Sequence, residues 1–251
     1  MKKRLNRQNV ILREVNMHNR VLVKDLASTL NVSVDTIRRD ITDLHTEKAL
    51  IQVHGGAVSM AHDRDMNVSP DEVYAFKSKS IIAQKALALV EEGSVILMSG
   101  GTTNMELARS LPHDLKATIF TPSITVANLL TSHPLIDLIF VGGKISNQSK
   151  ISVGGSAMNT LSEISTDICF MGTGYLHSVD GLTDFDWEVV QMKKAMIRAS
   201  DKLVSLSISE KLESSNRYKI CESKQIDTLI TELDPLNPLL ASYRNQMITV
   251  L

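Results

Sequence analysis

The segment VKDLASTLNVSVDTIRRDITDL constrains the fold more than any other part of the chain. Ala27 is small enough for two helices to approach closely, and Asn31, four residues later, can adopt the left-handed backbone of a tight turn. Ile37 follows ten residues after Ala27 and can face back into the core, while Ser33 can cap the second helix. This spacing predicts a helix-turn-helix. The expected buried stripe of its second helix is Val34, Ile37, Ile41 and Leu44.

The beginning of that second helix carries side chains suited to DNA. In a helix-turn-helix the first residues of the second helix reach base edges in the major groove, where hydroxyl groups can donate or accept. Arg38 and Arg39 follow, and one can reach bases while the other reaches a phosphate. Outside this context the two helices would be an ordinary packing unit and the two arginines a solvated face. The candidate residues at the helix start are Ser33, Val34, Asp35 and Thr36.

A β-hairpin is expected directly after this helix. Two short apolar segments flank Gly55 and Gly56, which allow a tight turn, and Gln52 or His54 could touch the DNA backbone as the wing of a winged helix does. Residues 1–60 contain ten Lys or Arg and six Asp or Glu, a net charge of +4, whereas the rest of the chain, with 17 and 22, carries −5. A basic head on an acidic body is expected when one end alone meets a polyanion.

The remainder of the chain alternates between strands and helices. The runs SVILM, ATIFT, LIDLIFV, DICFM, KLVSLSI and DTLIT have strand length and are separated by helical patterns, which predicts a mostly parallel sheet covered by helices on both faces. The stretch AVSMAHDRDMNVSPDE has no apolar period and contains Pro70, as a linker does. We therefore expect a multidomain chain. Its parts are a winged helix-turn-helix domain (1–58), a linker (59–72) and an α/β effector-binding domain (73–251).

Glycine-rich polar loops follow several predicted strands, at the edge where open α/β sheets bind ligands. Thr103 and Glu106 fit a capping box at one helix start, where free backbone N–H groups would suit a phosphate. An ordinary strand-to-helix turn with a good cap remains an open alternative. Together the loops supply glycines, hydroxyls and a lysine, as a small polar ligand requires. The candidate residues are Ser99, Gly100, Gly101, Thr102, Thr103, Thr121, Ser123, Gly142, Gly143, Lys144 and Gly172.

The run TIRRDITDLHTEKALIQVHGGA resembles the N-terminal signature of the DeoR family of bacterial transcriptional regulators. The body, from about Phe76 to Glu232, resembles that family's effector domain, which is similar to the ribose-5-phosphate isomerase A fold. The resemblance implies a sequence-specific regulator, with a repressor of a carbohydrate-metabolism operon as the expected case. Its partners would be a double-stranded DNA operator, a sugar phosphate or related metabolite as effector, and further copies of the same chain in a homo-oligomer.

Three positions depart from the family pattern. Gln52 replaces an arginine of the wing, while Ser99 and Ile208 replace aspartates of the effector domain. A hydroxyl or an alkyl group cannot act as a base or accept from sugar hydroxyls as a carboxylate does, so we expect an unusual effector or a partly degenerate site. Lys193 and Lys211 are retained, and either could meet an anion.

A phosphosugar isomerase is the alternative function. Such an enzyme needs a base and a group that stabilises an enediolate, and Asp184, Asp186 and Glu188 could supply the carboxylate. The same three residues could instead form a solvated cluster that caps the following helix. The basic head and the replacements at Ser99 and Ile208 favour the regulator, so we expect no catalytic residue, metal or cofactor.

Composition limits the setting of the protein. With 43% hydrophobic and 22% charged residues the chain is not expected to be disordered, and no apolar run approaches the roughly 18 residues that span a bilayer. The start MKKRLNRQNVILREVN lacks the apolar stretch of a secretory signal. Cys169 and Cys221 are too few for a disulfide framework or a zinc ligand set. We therefore expect a cytoplasmic protein with no membrane partner.

Overall fold

The computed structural model describes residues 2–60 and 73–251. The chain forms two compact units, Met1–Phe76 and Lys77–Leu251. The expected linker lies outside the described residues from position 61 to position 72. Across the described ranges, no helix combines the length and the apolar character that crossing a membrane requires.

Within residues 2–58, the first unit forms three helices and a three-stranded antiparallel sheet, whose middle strand is the last of the three in the chain. The predicted helix pair and hairpin are both present, and the sheet gains a third strand from the residues just before the second helix. The elements are α1 (Lys2–His18), β1 (Arg20–Leu22), α2 (Val23–Thr29), α3 (Val34–Thr46), β2 (Ile51–Val53) and β3 (Gly56–Val58).

The turn between α2 and α3 has the predicted chemistry. Asn31 has a φ of 50°, in the left-handed region, and the Val32 N–H donates to the Ala27 carbonyl at 3.0 Å. Ser33 caps α3 by accepting from the Thr36 N–H. The apolar stripe of α3 packs in the core of this unit, where Ile37, Ile41 and Leu44 are buried and Val34 is half-buried against them. The principal core residues of this unit are Ile11, Val15, Leu26, Ala27, Ile37, Ile41, Leu44 and Leu50.

The second unit is an α/β domain whose sheet has seven strands, all of them parallel. Helices flank the sheet. The helices of this unit are α4 (Phe76–Leu87), α5 (Thr102–Ser110), α6 (Ile124–Leu130), α7 (Gly155–Ser162), α8 (Trp187–Arg198) and α9 (Ala241–Arg244). The sheet strands are β4 (Val95–Met98), β5 (Ala117–Thr121), β6 (Ile136–Phe140), β9 (Thr166–Gly172), β12 (Ser200–Leu206), β14 (Thr228–Ile230) and β15 (Thr249–Val250). Their order in the sheet is β15-β14-β12-β9-β4-β5-β6.

Two smaller antiparallel sheets are formed by segments that follow strands of the large sheet along the chain. One is a hairpin, and the other has the order β10-β11-β13. A short 3-10 helix, Ser209–Lys211, follows β12. The strands of the small sheets are β7 (Lys144–Ser146), β8 (Ile151–Val153), β10 (Tyr175–His177), β11 (Gly181–Asp184) and β13 (Tyr218–Cys221).

Candidate nucleic-acid interface and ligand site

Of the predicted DNA-contacting side chains at α3, Ser33, Asp35 and the two arginines are exposed, while Val34 and Thr36 are half-buried. The hydroxyl oxygens of Ser33 and Thr36 lie 2.8 Å apart at the start of the helix. Arg38 and Arg39 are both exposed, and an Arg38 Nη1 donates to Asp35 Oδ1 at 3.0 Å. Both members of that pair are largely exposed, so the pair contributes little stability and leaves the guanidinium available to a stronger anion.

The opposite side of α3 carries a buried carboxylate. Asp40 is 1% exposed and accepts from two nitrogens of Arg7, with Nε 2.5 Å from Oδ2 and Nη2 3.2 Å from Oδ1. The hydrogen bond to Asp40 raises the pKa of Arg7 above its ordinary value. Arg4 adds an ion pair to Asp43 one turn further along. These contacts fix α1 against α3, and sequence reasoning missed them because the partners are 33 or more residues apart.

The hairpin is attached to the same helix. Gln52 is exposed on β2, and its side-chain oxygen accepts from the Thr42 hydroxyl at 3.3 Å. The Gln52 backbone N–H donates to His45 Nδ1 at 3.3 Å. His54 is exposed at the hairpin turn. The structure therefore leaves both predicted wing residues accessible and ties the wing strand to α3.

In the second unit, the loops that end β4 and β9 come together. The Gly172 N–H donates to Ser99 Oγ at 2.7 Å, and Asn104 Nδ2 donates to the same oxygen at 3.0 Å. A Cβ on Gly172 would lie 2.5 Å from the carbonyl oxygen of Gly100, so the two strand ends approach closely because residue 172 has no side chain. Ser99 therefore joins two strand ends.

The start of α5 differs from the expected capping box. Gly101, with a φ of 106°, is the N-cap residue, and no side chain caps the helix. Glu106 instead accepts from the Ser80 hydroxyl at 3.2 Å and from Arg109 at 3.5 Å. The capping-box prediction is thus wrong, because the glycine loop enters the helix two residues before Thr103. An N-terminus with no side-chain cap still offers backbone N–H donors to an anion.

The Thr121–Ser123 loop reaches the same edge of the sheet. Ser123 accepts from the Val126 N–H and caps α6, and its hydroxyl lies 3.4 Å from where a Cβ on Gly100 would be. Lys144, which follows Gly142 and Gly143, lies elsewhere on the surface. Its ammonium group pairs with Glu188 at 3.1 Å, and both side chains are exposed. Lys144 is therefore a rim residue rather than part of the buried cluster.

Three lysines cluster below this edge. Lys211 Nζ donates to the Thr173 carbonyl at 2.8 Å, directly after the Gly172 contact. Lys193 Nζ lies 3.2 Å from Asp184 Oδ2. Lys79, on α4, is 2% exposed and was missed because the helical pattern alone gave no reason to place it near the strand ends. Its positive charge acts on Lys211 and contributes to the lowered pKa of that lysine.

Burial weakens the charged form of two of these lysines. It lowers the pKa of Lys211 to about 7, and the neighbouring charges of Lys79 and Lys193 act in the same direction. Burial also lowers the pKa of Lys79 to about 8, opposed by the nearby carboxylate of Glu210. An anion at this place would stabilise both ammonium groups.

The three carboxylates considered for catalysis have structural partners. Asp184 pairs with Lys193 and accepts from the Phe185 N–H at 2.8 Å. Asp186 is the N-cap of α8 and accepts from two N–H groups of its first turn. Glu188 pairs with Lys144. Among the residues described, no cluster of three or more His, Cys, Asp or Glu is arranged to hold a metal ion.

Comparison with known proteins assigns both units to one family. Residues 7–63 match the DeoR-like helix-turn-helix domain, and residues 75–233 match the DeoR C terminal sensor domain. The HTH-type transcriptional regulator GolR of Listeria innocua is 30% identical over 90% of this chain and 89% of its own length. The glycerol-3-phosphate regulon repressor of Haemophilus influenzae is 26% identical over 92% of this chain and 90% of its own length.

A solved structure resembles about half of the chain. The ribose 5-phosphate isomerase A of Methanocaldococcus jannaschii covers 53% of each chain at 21% identity, with a TM-score of 0.40. A likeness of this degree carries no conclusion about activity.

Proposed function

Because this chain belongs to the DeoR family, we propose that it is a DNA-binding transcriptional regulator, a repressor of a carbohydrate-metabolism operon whose operator affinity is set by a sugar phosphate or related metabolite. The observation that carries the proposal is the two-sided character of α3. One side is fixed in the core by Ile37, Ile41 and the Asp40–Arg7 contact, while Arg38 and Arg39 stand in solvent. A helix held in this way can enter a major groove without losing its own packing.

The effector half of the proposal rests on the strand-end loops of the second unit. The uncapped start of α5, the Gly172–Thr173 loop and the buried lysines offer backbone donors and positive charge to a small anion. A relative named as a glycerol-3-phosphate regulon repressor supports a phosphorylated ligand. Such a ligand can change operator affinity only if it binds the DNA-bound and the DNA-free protein with different affinities. The coupling free energy between two such sites is typically about 1–3 kcal/mol.

We further propose that two copies of the chain bind DNA together. A helix-turn-helix reads a symmetric operator as a dimer, with half-sites about 34 Å apart or at a multiple of that distance. The isomerase alternative is disfavoured because Asp184, Asp186 and Glu188 are committed to an ion pair, a helix cap and a second ion pair. None of the three is left as an unengaged base.

The DNA half is tested by selecting randomised duplex DNA on the full-length chain and measuring the affinity of the selected duplex by fluorescence anisotropy. Arg38→Ala and Arg39→Ala should each weaken binding by about tenfold to a hundredfold, since a lost base contact costs about 1–3 kcal/mol. Lys116→Ala, which removes one exposed charge from the second unit, is the matched control. Unchanged affinity in both arginine variants would contradict the proposal.

The effector half is tested on the complex of the full chain with the selected duplex. Glycerol 3-phosphate, ribose 5-phosphate and glucose 6-phosphate are titrated in parallel with glycerol, ribose and glucose. A phosphorylated compound should change the DNA affinity where its unphosphorylated counterpart does not. If the unphosphorylated compounds change the DNA affinity equally, the phosphate group is not what the protein recognises, and that part of the proposal fails.

A further inference from the structure

Asp35 and Arg38 form an ion pair on the exposed side of α3. Arg38 Nη1 donates to Asp35 Oδ1 at 3.0 Å, and the arginine and aspartate side chains are 64% and 75% exposed. A pair as exposed as this contributes little to stability. A carboxylate in the first turn interacts favourably with the helix dipole, but on a helix that meets DNA it also repels the phosphates. Asp35 therefore needs a role in the complex that outweighs this repulsion.

The other side chains at the start of α3 leave Asp35 as the free acceptor for a base. Ser33 Oγ accepts from the Thr36 backbone N–H at 3.2 Å and lies 2.8 Å from the Thr36 hydroxyl oxygen, so the two hydroxyls are engaged with each other. Val34 is apolar and half-buried. In a helix-turn-helix these first residues of the second helix reach the base edges.

The helical spacing directs Asp35 away from the core. Arg38 and Thr42 follow it at intervals of three and four residues, and both are exposed. Ile37 and Ile41 are buried on the other side of the helix. When α3 enters a major groove with its exposed side leading, Asp35 points towards the base edges rather than towards the phosphates that line the groove.

The four bases differ in what they offer a carboxylate in the major groove. Guanine presents acceptors there, thymine an acceptor and a methyl group, and adenine an acceptor beside its amino group. Cytosine presents its N4 amino donor with no acceptor of its own. A carboxylate, which can only accept, therefore fits cytosine, whereas the fork of donors on an arginine fits O6 and N7 of guanine.

We propose that Asp35 accepts a hydrogen bond from the N4 amino group of a cytosine in each operator half-site, and that Arg38 donates to the guanine of the adjacent base pair. The 3.0 Å contact between the two side chains is close to the rise of about 3.4 Å between base pairs, so the two bases are neighbours. The inference rests on the proposed function and deepens it, because it names the bases that α3 reads.

The test is selection of randomised duplex DNA on the full-length chain, followed by sequencing, which gives the base preference at each position. The wild-type chain should select half-sites with cytosine and guanine in adjacent base pairs. Asp35→Ala should reduce the cytosine preference and Arg38→Ala the guanine preference, each by about tenfold to a hundredfold, while the remaining positions keep theirs. Asp35→Asn should replace the cytosine by adenine, because an asparagine amide pairs with N6 and N7 of adenine.

Glu47→Gln is the matched control, since it removes the same charge from an exposed residue at the other end of α3. It should leave every base preference unchanged. Loss of the cytosine preference in this variant would mean that net charge explains the effect, and the inference would fail. It would also fail if Asp35→Ala and Asp35→Asn kept the wild-type preferences, which is the result expected of a residue that serves only the helix dipole.

The outcomes separate this inference from the proposed function. If the wild-type chain selects half-sites that lack cytosine and guanine in adjacent base pairs, the inference on Asp35 and Arg38 fails and the regulator stands, whether or not the variants fold. If the wild-type chain selects no sequence, the proposed function fails and the inference fails with it.

Discussion

Arg7 and Asp40 join the first helix of the head to the recognition helix through two hydrogen bonds, with Nε 2.5 Å from Oδ2 and Nη2 3.2 Å from Oδ1. Asp40 is the charged residue among the four buried on α3, and its neighbours in that set are Ile37, Ile41 and Leu44. The contact therefore sets the orientation of the helix whose other side carries Arg38 and Arg39.

Removing Arg7 should destabilise the head, because the buried carboxylate of Asp40 would lose both of its hydrogen bonds to Arg7 and keep only the longer contact to Arg4, whose Nε lies 3.7 Å away. Breaking a buried pair costs about 3–5 kcal/mol, and since the Arg7 side chain is 20% exposed we expect Arg7→Met to cost about 2 kcal/mol. Urea unfolding of the full chain, followed by a probe of the head, measures this loss.

The double variant Arg7→Met/Asp40→Leu is the control for that measurement. It removes both charges together, so it should lose less stability than Arg7→Met alone. If the loss in the double variant equals the sum of the losses in Arg7→Met and Asp40→Leu measured separately, the two side chains do not interact, contrary to the geometry.

Most of the head could be predicted from the sequence because its signals are local. Asn31 in the turn, Ser33 at the helix start and the spacing of Ile37, Ile41 and Leu44 each act over a few residues. The burial of Asp40 could not be predicted in this way. A carboxylate on an apolar face is favourable only when a distant residue, here Arg7, supplies its partner.

Gly172→Ala should destabilise the second unit and disturb the loop at the start of α5. The new Cβ would lie 2.5 Å from the Gly100 carbonyl oxygen, a backbone atom that can move only with its strand end. Overpacking of this kind costs about 1–3 kcal/mol. Gly142→Ala is the matched control, since a Cβ there has no atom of the described residues within 4 Å and should change stability little. Thermal unfolding of the two variants should separate them, and equal melting temperatures would contradict the close approach.

The apolar runs of the sequence predict the central sheet of the second unit, but they predict only part of the candidate ligand site. The capping box failed because Thr103 and Glu106 have the right spacing while Gly101 takes the capping position. Lys79 was missed because its neighbours come from strands and loops far along the chain. The small sheet of β10, β11 and β13 has strands of three or four residues, too short for a periodic signal.

The two cysteines should resist thiol reagents in the folded protein. Burial raises the pKa of Cys169 to about 12 and that of Cys221 to about 11, and the reactive species is the thiolate. At pH 8 the thiolate fraction of even Cys221 is about one part in a thousand. Titration with Ellman's reagent should therefore show no rapid reaction in buffer and two reactive thiols in urea. A rapid stoichiometric reaction of the native chain would show that one thiol is accessible.

Gln52→Arg should strengthen DNA binding. Gln52 is exposed on the wing strand, and the replacement loses only a 3.3 Å hydrogen bond from Thr42 while adding a cation. A new phosphate contact should make the slope of log K against log salt steeper by about 0.9, with a similar gain on selected and unrelated duplexes because phosphates carry no sequence information. Asn147→Arg, exposed in the second unit, adds the same charge away from the wing and serves as control. If both variants change the salt slope equally, net charge alone explains the gain. If neither changes it, the wing does not reach the DNA backbone at residue 52.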